Sequence, residues 1–235
     1  MKVVPIKVDY IDHSGCDINI VNAARVSFHK ESEMETVYTD VEHDKYGTCR
    51  SVSFVLNEAD KKLVRYLAKH NHKSPFNHVF ISFRVKAPIF VARQLVKHEY
   101  LPWNEVSRRY VTEEPEFYFP DYWRKAADNV KQGSSDEDSG WTPGWTKRLT
   151  ATELCLAEYN DALDSGVCAE QARMILPQNM MTEWIWSGTL YAFAKMCKLR
   201  LDSHTQKETR LVAELVEAEL LKCYPASYAA LKEFL

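Results

Sequence analysis

A strict alternation runs from His78 to Val85, with Val79, Ile81, Phe83 and Val85 on one side and Phe80, Ser82 and Arg84 on the other. Side chains two apart share a face only in extended backbone, so this segment has to be a strand with one buried face. Pro88 then stands where the first turn of a helix tolerates it, and Ile89, Phe90, Val91, Leu95 and Val96 carry helical spacing to about His98. Strand and helix together deliver the most polar stretch of the chain, RQLVKHEYLPWNEVSRRY from Arg93 to Tyr110.

The rest of the pattern surrounds this unit. MKVVPIKVDY reads as a strand, and Asn57 is placed to cap a helix with Leu63, Val64, Leu67 and Ala68 on one face, ending near Asn71. Beyond it, Leu149 to Leu163 has helical spacing and stops at Gly166, and a shorter helix from Gln171 to Leu176 stops at Pro177. Thr182 is expected to cap a longer helix through Ile185, Trp186, Tyr191, Phe193, Met196 and Cys197 to Leu199, and a last helix runs from Thr205 to Cys223, before Pro225. Strands early and helices late indicate an α+β fold. Residues 128–144 collect Gly, Ser, Asp and Pro and read as a flexible loop, either a hinge or a surface excursion.

Length and composition, 235 residues with 46% hydrophobic and 27% charged, suit one large domain or two small ones. With 30 basic against 33 acidic residues the formal charge is -3, so no general field attracts nucleic acid or an anionic membrane, and a polyanion has to be held by a local cluster. No stretch reaches the ~20 apolar residues of a membrane span, and MKVVPIKVDYIDHSG has no signal-peptide core; a cytoplasmic protein is expected. The six cysteines, Cys16, Cys49, Cys155, Cys168, Cys197 and Cys223, form no Cys-x-x-Cys pair, so reduced thiols and no metal site are expected.

A solvated helix face running into a loop is the plain reading of the charge run from Arg93 to Tyr110. Three features point to a ligand instead. Gln94, Lys97 and His98 fall at helical spacings of three and four, which turns them to one side. Ser107 and Arg109 lie two apart, so in extended backbone a hydroxyl and a forked cation face one phosphate together. Arg173 and Arg200 sit in the apolar contexts ARMILP and CKLRLDSH, where a buried guanidinium wants an anion. That anion is either a phosphate or an internal carboxylate such as Asp202 or Glu208.

The run SPFNHVFISFRVKAPIFVARQLVKHEYLPWNEVSRRY resembles the signature region of flavin-dependent thymidylate synthases, whose hallmark is Arg-His-Arg, seven residues, then Ser. Here Lys97-His98-Glu99 stand in the hallmark position, with Ser107 after seven residues. NAARVSF from Asn22, EFYFP from Glu116, EQARMILP from Glu170 and LRLDSHTQKE from Leu199 extend the resemblance over most of the chain in family order. It implies a single domain over residues 1–235 with an antiparallel sheet and flanking helices. It also implies a homotetramer with shared active sites, binding FAD, dUMP and methylenetetrahydrofolate, with NADPH as reductant. By position, Gln94, Lys97, Glu105, Ser107, Arg109 and Arg173 resemble the nucleotide contacts, and Arg200 the arginine that polarises the uracil; Ser107 and Arg200 are the catalytic candidates. Flavin contacts are expected from His72, Ser74, Lys97, His98, Glu99, Asn104, Glu105 and His204.

Departures from the family pattern gather at flavin positions. Lys97 and Glu99 replace arginines, Asn77 replaces a Glu, and Thr189, Tyr191 and Lys195 stand where the family prefers Asn, Arg and Asn. The concerted change implies a flavin held differently, with Lys195 as a replacement cation. Three readings follow: a divergent thymidylate synthase, a related pyrimidine-nucleotide hydroxymethylase, or a non-catalytic nucleotide-binding paralogue.

Overall fold

The computed structural model describes residues 1–43, 47–128, 134–140 and 145–235. They fall into two compact units, each built from three stretches of chain. One comprises Met1–Ile11, Ser82–Ser187 and Leu199–Val216; the other comprises Asp12–Ile81, Gly188–Lys198 and Glu217–Leu235. In chain order the elements are β1 (Lys2–Val3), β2 (Lys7–Ser14), α1 (Asp17–Arg25), β3 (Glu35–His43), β4 (Gly47–Val55), α2 (Glu58–Lys69), β5 (Phe80–Pro88) and α3 (Ile89–Leu95). There follow β6 (Trp103–Glu105), β7 (Glu116–Phe117), β8 (Arg124–Ala126), β9 (Ser134–Asp138), α4 (Trp145–Asp164), α5 (Ala169–Ala172), β10 (Met181–Thr189), α6 (Leu190–Arg200), α7 (Lys207–Cys223) and α8 (Pro225–Phe234). The fold is α+β, and its main sheet has the strand order β2-β5-β10-β6, with β6 antiparallel to β10.

The expected strand face is observed in β5, where Ile81, Phe83, Val85 and Ala87 are fully buried while Phe80 and Arg84 are exposed. The expected Asn57 cap is present too: its side chain accepts from the Asp60 backbone N–H and opens α2. Helix α4 begins at Trp145, ahead of the expected Leu149, and Gly166 ends it with a left-handed φ of 85°. Leu156 and Tyr159 of α4 pack with Phe117, Ala172 and Met180 to form a core of the first unit.

Four expectations are corrected. Helix α3 stops at Leu95, not His98, and Lys97 lies in a turn beyond it. Thr182 does not cap a helix, because Met181–Thr189 is strand β10 and the helix opens only at Leu190. In MTEWIWSGT the bulky Trp184 and Trp186 alternate with half-buried Glu183 and Ile185, a period-two pattern of aromatic and β-branched residues that favours a strand over a helix. Within the expected loop, Ser134–Asp138 is strand β9, antiparallel to β8. Cross-strand polar pairs hold it, Arg124 Nε donating to Ser134 Oγ at 2.7 Å and Lys125 meeting Glu137 at 2.9 Å. Residues 129–133 and 141–144 of that expected loop lie outside the described residues. Finally, Pro225 does not merely end the last helix but opens another, α8.

Helix α8 is held by a buried acid. Asp17, only 4% exposed, accepts from the backbone N–H groups of Ala226 and Ser227 at 2.9 Å each, satisfying two donors that the helix itself leaves unpaired. Asp17→Ala should therefore cost about 2 kcal/mol, read as a lowered urea midpoint with an unchanged slope.

Inside the first unit, Arg124 forks onto Glu208 with bonds of 2.8 and 2.9 Å, both side chains largely buried. Burial alone would raise the Glu208 carboxyl, but the Arg124 guanidinium and a backbone hydrogen bond bring it below the ordinary value of 4.5. The unfolded chain thus takes up this proton more readily than the folded one. The pair contributes stability above the ordinary carboxylate pKa and loses it as pH falls through the depressed folded value. Arg124→Met should cost about 3 kcal/mol at pH 7. The gap to the unaltered protein should narrow in urea titrations run below pH 4.5, the ordinary value of this carboxyl.

Candidate functional site

A cavity of about 910 Å³ opens in the first unit, bounded by Arg93 of α3, Glu105 of β6, Arg108, Arg173 beyond α5, and Thr182 and Glu183 of β10. Its cations differ in how far they are committed. Lys86 is tied to Glu116, which also takes Lys2 at 2.5 Å, and these two lysines hold the Glu116 carboxyl below its usual range. Arg108 donates to the Glu113 carbonyl. Arg173 donates only to the Glu170 carbonyl of its own turn at 3.3 Å, and among the described residues no carboxylate pairs with Arg93 or Arg173. Contrary to the expectation from its apolar sequence context, Arg173 is exposed. Its flanking Met174 is 77% exposed as well, because the single turn Arg173–Ile175 is too short to bury a face.

Of the expected nucleotide contacts, Glu105 and Arg173 line this cavity. Ser107 and Arg109 are not on an extended segment: Ser107 opens a turn, its Oγ accepting from the Arg109 N–H at 3.3 Å and its carbonyl from the Tyr110 N–H at 3.0 Å. The Arg109 guanidinium reaches Glu170 at 3.4 Å with both side chains about half exposed, and lies over the Tyr110 ring at 5.4 Å. Screening by water leaves such a pair weak, so a phosphate dianion competes with it readily.

Gln94, His98 and Arg200 form a second cluster in the same unit. Arg200 Nε donates to His98 Nε2 at 2.9 Å, and Nη2 donates to the Gln94 carbonyl at 2.7 Å, one of the unpaired carbonyls at the end of α3. The Gln94 amide in turn bonds Gln206. His98 Nε2 stands on the acceptor side of this contact, because a guanidinium can only donate. Arg200 is half-buried, and burial lowers its guanidinium pKa. Neither acid foreseen as its partner is used: Glu208 binds Arg124, and Asp202 binds the backbone and ring of His204 at 2.8 and 2.9 Å. Arg200 is held by neutral acceptors, and its charge remains available. Lys97, Glu99 and Asn104 are exposed, with Asn104 paired to Ile185 in the sheet.

The second unit gathers the other expected flavin positions. Thr189 Oγ1 donates to Asn77 Oδ1 at 2.8 Å, so two of the departures from the family pattern are hydrogen-bond partners. Tyr191 donates its hydroxyl to Asn71 at 3.2 Å, with Lys73 over its ring at 5.9 Å and its phenol pKa raised by burial. His72 stacks on Tyr66 with ring centroids 6.1 Å apart, Ser74 opens the turn Ser74–Asn77, and Lys195 is exposed. Lysine cations, a serine hydroxyl and aromatic rings are a donor set that fits a flavin dinucleotide's phosphates and rings. Lys86, Arg93 and Arg108 at the cavity carry no role in the sequence reading; Arg93 and Arg108 lie inside the polar stretch, and the alternation of β5 places Lys86 on its polar side.

The family described as Thymidylate synthase complementing protein matches residues 9–226. The flavin-dependent thymidylate synthase of Ehrlichia ruminantium (strain Gardel) is 34% identical over 97% of this chain and 70% of its own length. That of Thermus thermophilus is also 34% identical, over 97% of this chain and 76% of its own length. The chain belongs to the flavin-dependent thymidylate synthase family. Among solved structures, a UMP/dUMP methylase, PolB, from Streptomyces cacaoi bound with 5-Br dUMP superposes with a TM-score of 0.80 at 29% identity, covering 100% of this chain and 98% of that one. Among the described residues of this family member, no helix is long and apolar enough to cross a membrane, and no cluster of His, Cys, Asp and Glu could hold a metal.

Because the Arg109–Glu170 pair is exposed, Glu170→Gln should shift thermal stability by less than about 0.5 kcal/mol. A larger loss in differential scanning calorimetry would show Arg109 to be committed to structure.

Proposed function

We propose that this chain methylates dUMP to dTMP, with methylenetetrahydrofolate as carbon donor, FAD as the flavin and NADPH as its reductant. The observation that carries the reading is the cavity of about 910 Å³ at which Arg93 and Arg173 stand, among the described residues, without carboxylate partners beside Glu105, in a chain of this family. Arg173 and Arg93 take the phosphate, joined by Arg109 and Ser107, while Gln94 and Lys97 add nucleotide contacts. Glu105 accepts a hydrogen bond from the sugar. Arg200, the catalytic guanidinium, is already oriented by His98 and Gln94 and meets the charge that builds on the uracil without having to reorganise.

When bound, the flavin supplies the hydride to the pyrimidine. His72, Ser74, Lys97, His98, Glu99, Asn104, Glu105, Thr189, Tyr191, Lys195 and His204 are the residues assigned to hold it. Neither Cys197 nor Cys223 is favoured as a thiolate nucleophile: burial pushes the Cys197 thiol up to about 12 and raises Cys223 as well. The same reading takes residues 1–235 as one catalytic domain that works in the cytoplasm as a homotetramer with shared active sites.

The test is to supply purified protein with dUMP, methylenetetrahydrofolate, NADPH and FAD and to identify the product by mass. dTMP is expected; a hydroxymethylated product would identify the hydroxymethylase, and unchanged dUMP with a colourless protein would identify the non-catalytic paralogue. Arg200→Ala should lower turnover by about 10³-fold while flavin absorbance is retained.

A further inference from the structure

Glu105 closes β6 at the rim of the cavity, and its carboxylate is fixed from two sides. Thr182 Oγ1 donates to Oε1 at 2.7 Å and Trp103 Nε1 donates to Oε2 at 3.0 Å. Both donors are neutral, and each oxygen keeps a lone pair for a ligand. Neither donor belongs to a loop. Thr182 is 8% exposed on β10, and Trp103 of β6 lies flat on the fully buried Trp184, with ring centroids 4.1 Å apart at 18°. The strand pairing of Trp184 with Glu105 and Trp186 with Trp103 sets this arrangement in register.

An exposed glutamate free to rotate about its side-chain torsions would have to be ordered each time a ligand bound. Here that ordering is completed in the folded chain. Among the guanidiniums of Arg93, Arg108 and Arg173, a fixed carboxylate repels the anionic end of a ligand and receives a neutral donor. A nucleoside monophosphate offers both ends, the phosphate and the sugar hydroxyl.

We infer that Thr182 and Trp103 are positioning residues, which lock the Glu105 carboxylate so that it reads the sugar hydroxyl of the bound nucleotide. The inference rests on the cavity being the nucleotide site. Its test is calorimetric titration of the full chain, saturated with FAD, with dUMP and with its 2′,3′-dideoxy analogue. The unaltered protein should bind dUMP roughly tenfold more tightly than the analogue. Thr182→Val and Trp103→Phe, which keep side-chain volume or the ring stack, should each reduce that ratio to about threefold or less, through weaker dUMP binding alone. Thr182→Ser, retaining the hydroxyl, should restore it. A merely structural role would weaken both ligands equally and leave the ratio intact, and an intact ratio in Thr182→Val and Trp103→Phe overturns the inference. Equal binding of the two nucleotides by the unaltered protein overturns it as well. Failure of the unaltered protein to bind either one overturns the nucleotide reading of the cavity and takes this inference with it.

Discussion

The burial of one face of β5 and one face of β10 is the constraint from which the site follows. Phe83 and Val85 on one strand and Trp184 and Trp186 on the other are removed from water entirely, and a side-chain period of two leaves no freedom in what points the opposite way. A slip by one residue would drive Arg84, Lys86 and Glu183 into the core. The polar sides of these strands therefore contribute Lys86 and Glu183 to the cavity as a consequence of where the apolar residues have to go, and Thr182 reaches it from the same face as Trp184.

The electrostatics of the site divide charges by what holds them. Where a charge serves the fold it is neutralised by an opposite charge at close range, as Arg124 is by Glu208 and Arg25 by the fully buried Asp60. Three charges assigned to ligands are oriented by uncharged groups instead, whereas Arg109 meets Glu170 in an exposed pair. Arg200 is held by an imidazole and a carbonyl, Arg173 by a carbonyl, and Glu105 by a hydroxyl and an indole. Neutral partners fix direction without cancelling the field, which is what recognition of a charged or polar ligand needs.

Local signals are legible in the sequence, and non-local ones are not. The face of β5, the Asn57 cap and the Gly166 stop each depend on residues a few positions apart, and each is present. Met181–Thr189 misleads because its apolar residues run on into those of Leu190–Arg200, so a strand and the helix after it read as one longer helix. Pairing with β6, distant in sequence, accompanies the extended form. Strand β9 escapes notice for a related reason: SSDED has little strand propensity and depends on cross-strand partners from β8. At the site, residue types are readable but their company is not. Asp202 and Glu208 are reasonable partners for Arg200 by composition, yet His204 and Arg124 claim them.

The hydrogen bond between Asn77 and Thr189 joins residues 112 positions apart in the chain, and both differ from the pattern of the family. A carboxamide and a hydroxyl match each other in length and in donor and acceptor roles. A change at either position alters the partner of the other, so grafting a different side chain onto one end of this contact also resets what the distant end meets.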